Sequence, residues 1–160
     1  GGSVNTRMGE GSPAAFNGRA QRTLLKLYGD PRKKGWGNKW MVVWNVKKDF
    51  PWFPANKIYI HKDFRIQLHS AFRALELKGL HREIISFDGC YNLRYVRGSN
   101  AALSVHSWGV GIDLNAKDNP LGSDGKWSHD FLRTMLDNSI FCGQNWTGRK
   151  DPMHFALVNG

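Results

Sequence analysis

Acidic residues are scarce in this chain. Across 160 residues, 13 aspartates and glutamates stand against 23 lysines and arginines, a formal charge of +10. Such a balance disfavours cationic partners and points to anionic ones: nucleic acid, phosphate-bearing envelope polymers or acidic peptides. Cysteine is almost absent. Cys90 and Cys142 lie far apart without CxxC spacing, which excludes a disulfide scaffold and a zinc ribbon and leaves open whether the two pair. No apolar stretch is long enough to cross a bilayer, and the opening GGSVNTRMGEGS lacks the apolar block of a signal peptide. The chain as it stands is expected to be soluble. Gly1 to Ser3 read as the remnant of a fused tag, so a removed leader would leave no trace. Internal repeats and low-complexity tracts are also missing, which rules out solenoid and fibrous architectures.

What remains is an ordinary globular composition, with 41% hydrophobic and 22% charged residues, in a length that suits one domain and a monomer. Residues 1–12 are polar and glycine-rich and are expected to be flexible, with one domain over 13–160. From Pro13, apolar positions up to Leu27 predict a helix that stops at Gly29-Asp30-Pro31. RKKGWGNKW reads as turn-rich, MVVWNV as a strand, FPWFPANK as a loop and KIYIH as a strand. FRIQLHSAFRALELKGL carries helical spacing and ends at Gly79. EIISF predicts a short strand, and DGCYNLRYVRGSN a glycine-containing loop. VGIDL is a compact apolar strand, WSHDFLRTMLDNSIF a helix with Ser128 as N-cap, and MHFALVNG a last strand. The order predicts an α+β fold, a small mainly antiparallel sheet flanked by helices.

Chemistry concentrates in SVHSWGVGID, which sets out Ser104-x-His106-x-x-Gly109-x-x-x-Asp113. Imidazole and carboxylate together suit zinc, and a catalytic zinc takes three protein ligands with a fourth position for water. The third donor is sought in DPMHF, where His154 follows Asp151 by three residues and Pro152 argues against a helix. A loop running into a strand would aim His154 at the metal and leave Asp151 beside it as proton acceptor. A fixed cation for the developing oxyanion would come from Arg94 or Arg97, between which the residues do not choose.

The block SVHSWGVGIDLN resembles the SxHxxGxAxD signature of the D-alanyl-D-alanine carboxypeptidase and L-alanyl-D-glutamate endopeptidase family, which includes VanY-type enzymes and many phage endolysins. DPMHF resembles that family's second signature, and the likeness runs from about Phe87 to Phe155. The resemblance implies a zinc peptidase domain with the metal site on the sheet, His106, Asp113 and His154 as ligands and Asp151 as base. It implies Arg94, in YNLR, as the group meeting the carbonyl oxygen or a substrate carboxylate, with Arg97 its competitor. Ser104 and Trp108 are expected to face or orient the substrate. The implied substrate is the peptidoglycan stem peptide. The implied setting is a phage lysis enzyme, made in the host cytoplasm and acting as an endopeptidase on the cell wall, with anionic envelope polymers as further partners. A D-alanyl-D-alanine carboxypeptidase is the nearest alternative. Gly111 stands where the family has alanine, and FCGQNW replaces its glycine- and tryptophan-rich run.

Three rivals come from other classes. Trp36, Trp40, Trp44 and Trp52 interleaved with Lys33, Lys34, Lys39, Lys47 and Lys48 would suit a single-stranded nucleic-acid surface, but core packing under a solvated basic face is the expected reading. Cys142 with His154 as a nucleophile pair leaves His106 and Asp113 without a role. A wall-binding module with a dead site would have no need of Asp151. His61, His69, His81 and His129 read as structural.

Overall fold

Helix formation follows the apolar spacing. Along Lys62–Leu77 (α4), Phe64, Leu68, Ala71, Phe72 and Leu75 fall on one face and are all buried. The helix starts at His61, whose side chain accepts from the Asp63 N–H, and ends before Gly79, which adopts the left-handed conformation at φ 72°. The computed structural model describes residues 13–16, 18–99 and 101–160. The flexible segment expected over 1–12 lies outside the described residues.

The first predicted helix is divided into a 3-10 turn at Pro13–Phe16 and α1 at Arg19–Tyr28. The basic turn-rich stretch contains a one-turn helix, Trp36–Trp40 (α2), and the chain then enters β1, Met41–Trp44. Val46–Asp49 (α3) shortens the strand expected over MVVWNV. β1 pairs antiparallel with β2, Ile58–His61, in the register Met41↔His61 to Trp44↔Ile58.

A second, four-stranded antiparallel sheet is built from β3 (Phe87–Gly89), β4 (Gly111–Leu114), β5 (Phe141–Gly143) and β6 (Asp151–Ala156), in the order β3-β4-β6-β5. The α+β class is as expected, but the strands form two sheets where one was predicted. EIISF is not a strand over its length: a 3-10 turn occupies Leu80–Glu83, and pairing begins only at Phe87. Ser128 caps α5 (His129–Asp137), its hydroxyl accepting from the Phe131 N–H at 3.1 Å. Phe131 stacks on Trp127 at 4.3 Å between ring centroids, and Phe155 of β6 meets both edge-on. That cluster fixes one face of the central strand and leaves the other for the site. No helix among the described residues is long and apolar enough to cross a membrane.

Candidate metal centre

Register brings the first pair of candidate residues together. β4 and β6 are the two inner strands of the larger sheet, and Asp113 stands directly opposite His154 across their ladder. Directly opposed residues point to the same face with Cβ atoms about 5 Å apart. His106 reaches that face from the preceding 3-10 turn, Val105–Trp108. Ser104 caps the turn, its hydroxyl accepting from the His106 N–H at 3.2 Å. Gly109 ends it with φ 67°, and a Cβ there would lie 2.9 Å from the His61 backbone nitrogen. This position therefore needs glycine on both counts.

Each histidine is held by its far nitrogen. His106 Nδ1 is 2.6 Å from the Cys90 carbonyl oxygen, and His154 Nε2 is 2.7 Å from the Gly160 backbone oxygen. An oxygen of this kind only accepts, so both contacts assign the proton to those nitrogens and turn the other nitrogen of each ring inward. His106 Nε2 then faces Asp113 Oδ1 at 3.4 Å, and His154 Nδ1 faces the same oxygen at 3.6 Å. The three donor atoms lie within 4.8 Å of one another. Asp113 Oδ1 is buried and has no hydrogen-bond partner among the described residues. Three lone-pair donors converging in a shielded volume need a proton or a cation between them. Two imidazoles and a carboxylate are a donor set that suits zinc. Burial pushes the Asp113 carboxyl up, but the two histidines outweigh it and hold the group well below the usual carboxylate range.

Gly111 gives the rings room. A Cβ there would sit 3.0 Å from His154 Cε1 and 3.3 Å from His106 Cε1, so the glycine lets both imidazoles close over the strand.

Asp151 joins the group through an irregularity. Residues three apart on a regular strand face opposite ways. β5 pairs Cys142 with Phe155 but Gly143 with Asp151, so the ladder slips between those steps, and Asp151 and His154 line the same cavity. Asp151 thus belongs to the strand itself, not to a preceding loop as expected. A Cβ at Gly143 would run into the Asp151 carbonyl, so glycine permits the close approach. Burial pushes the Asp151 carboxyl above its usual value, with His154 opposing and the Asp113 charge adding to the rise. One of its oxygens is buried without a hydrogen-bond partner among the described residues. A shielded carboxylate with a raised pKa is suited to accept a proton near neutral pH.

Both candidate arginines reach the cavity, of about 260 Å³. Arg94 is half-buried, its backbone stitched to Ser104 and Ser107, and its guanidinium donates to the Tyr95 carbonyl at 3.0 Å. Arg97 is exposed at the rim. Ser104 lines the same cavity. Trp108 is not brought there: it is fully buried, its indole N–H donates to the Gly29 carbonyl at 2.9 Å, and it packs edge-on against Phe16. Its contribution is to anchor the His106 turn on α1, in place of the substrate contact expected. Gln21, Trp146 and Arg149 also line the cavity and were not singled out by sequence reasoning.

The rival sites do not assemble. Cys142 and Cys90 are free thiols, and burial pushes the Cys142 thiol up to about 12, which leaves no thiolate to act as nucleophile. Trp36 and Trp44 are buried, and the Trp44 and Trp52 indoles are bonded to Asp49 and Glu76. They form no open stacking platform.

A half-buried carboxylate between two backbone-anchored imidazoles, with a shielded acid and arginines around one cavity, is a set of groups suited to metal-assisted hydrolysis of an amide. Residues 97–157 match a family model described as D-alanyl-D-alanine carboxypeptidase, the VanY-like zinc peptidases. The resemblance seen in the sequence is therefore borne out over that segment, and the match supports a zinc peptidase. The match takes in His106, Asp113, Asp151 and His154 but stops short of Arg94. It points to peptidase activity on peptidoglycan. No curated protein matches the chain.

Proposed function

We propose that this protein hydrolyses an amide bond in the peptidoglycan stem peptide, with His106, Asp113 and His154 holding zinc and Asp151 moving the proton. The observation that carries the reading is the convergence of three donor atoms within 4.8 Å around a buried, unpartnered Asp113 oxygen. Zinc, when bound, supplies a Lewis acid that lowers the pKa of water to about 7 and polarises a carbonyl. Asp113 and the two histidines fix its place. Asp151 takes the proton from the attacking water and returns it to the leaving amine. Arg94, charged at all working pH values, offers hydrogen bonds to the oxygen on which negative charge develops. Ser104 keeps His106 in position through the capped turn.

The first reading of the bond is the one between L-alanine and D-glutamate, in an endopeptidase of the phage-lysin kind. The formal charge of +10 supports it, since a lysin gains from attraction to anionic wall polymers. The description of the matching family favours a second reading, removal of terminal D-alanine. Digestion of purified peptidoglycan with and without a chelator, followed by mass spectrometry of the new ends, tests both. Loss of cleavage with chelator and its return with zinc is expected. New D-glutamyl amino ends mark the endopeptidase and free D-alanine the carboxypeptidase, whereas cleavage indifferent to chelator overturns the metal assignment.

A further inference from the structure

Positive charge is in surplus at the cavity. Arg94, Arg97 and Arg149 all line it, together with only two side-chain carboxylates, those of Asp113 and Asp151. Asp113 is taken up by two histidines, and Asp151 is reserved for the proton. Gathering like charges is unfavourable unless an anion offsets them, and a bound divalent cation would deepen the surplus.

Arg97 and Arg149 come from different loops and are tied to one another: the Arg149 guanidinium donates to the Arg97 carbonyl at 3.2 Å. The contact leaves the Arg97 side chain and the rest of the Arg149 fork uncommitted. Both residues are exposed, and neither forms a salt bridge with a carboxylate among the described residues. The nearby Gly98 presents no side chain, and a Cβ there would stand 3.9 Å from the Arg149 guanidinium. Two unpaired guanidinium groups beside a cavity suit a planar carboxylate, which arginine meets with paired hydrogen bonds.

We propose that Arg97 and Arg149 form a carboxylate-binding subsite at the rim of the cavity, which takes a free carboxylate of the stem peptide next to the bond to be cut. The proposal rests on the reading of the cavity as a stem-peptide site. Two carboxylates of such a peptide share this chemistry, the α-carboxylate of a γ-linked glutamate and the one at the C-terminal end.

The test is a binding cycle on zinc-loaded protein carrying Asp151→Asn, so that turnover does not consume the probe. A synthetic stem peptide is titrated by calorimetry with both carboxylates free, with the glutamate one amidated, and with the terminal one amidated. One of the two amidations is expected to weaken binding about fivefold, the discounted worth of a partly solvated ionic hydrogen bond. Which of them does so identifies the source. Arg149→Gln should weaken the free peptide by a similar factor and leave the corresponding amide unaffected, because the cycle isolates the coupled pair. Arg149→Lys should recover part of the loss, and melting temperatures should not move. Equal weakening of acid and amide by Arg149→Gln, or no weakening, overturns the subsite. Failure of the parent protein to cleave peptidoglycan while the cycle still couples would remove the assigned reaction and keep the subsite. Absence of any peptide binding would remove both.

Discussion

Two regions of this protein bury histidine, and they do so to opposite ends. In the smaller sheet, His61 is fully buried among rings, with Tyr28 at 4.1 Å and Trp40 stacked at 5.3 Å between centroids. Its Nδ1 accepts from the Asp63 N–H, and its Nε2 finds no partner among the described residues. In the larger sheet, His106 and His154 are almost as deeply buried, but each donates outward to a backbone oxygen and turns a lone pair onto one carboxylate. Burial alone therefore says little about a histidine's role. What separates the two regions is where the inward nitrogen points: into aromatic carbon, or into a volume shared with Asp113.

The largest effect that would sharpen this contrast is loss of metal. His106→Ala or Asp113→Ala should abolish both bound zinc and hydrolysis, while His61→Phe should retain zinc. Metal analysis by mass spectrometry reads this directly, and full zinc in the first two variants would erase the distinction. Next in size is Asp151→Asn, which should keep zinc and lose at least about a hundredfold in turnover. Steady-state kinetics beside metal content checks it. The smallest effect is in acid stability. Burial lowers the His61 pKa from its ordinary 6.5 to about 4, so between those values the unfolded chain binds the proton more readily than the folded one. Stability then falls as pH drops through that window and is unaffected by this group above it. Urea melts at a series of pH values should show a flatter acid slope for His61→Phe than for the parent.

The candidate metal centre was legible in the sequence because its three donor residues sit in two short blocks with distinctive spacing. The cavity around it was not. Arg149 and Trp146 reach it from a loop whose path depends on the slipped pairing of β5 with β6, and no spacing in the sequence records that slip. β5 is three residues long, and so short a segment carries no periodicity: the predicted helix runs on to Phe141 and takes in its first residue. Trp108 was misjudged for a related reason: it lies inside the histidine block, yet the turn that delivers His106 sends the indole the other way, toward Gly29. EIISF has strand composition, but Asn115 takes up its backbone, accepting from the N–H groups of Ile85 and Ser86, so a side chain replaces the ladder.

The acceptors behind the two histidines are main-chain oxygens of Cys90 and Gly160. The one at Cys90 is a peptide oxygen, present whatever residue occupies the position, so exchanging the cysteine thiol for another small group leaves the acceptor in place. At Cys90 it is also uncharged, and polarises the His106 imidazole less than a carboxylate would. Ring orientation here is thus inherited from backbone course, and insertions that bend those segments threaten the centre more than point substitutions within them.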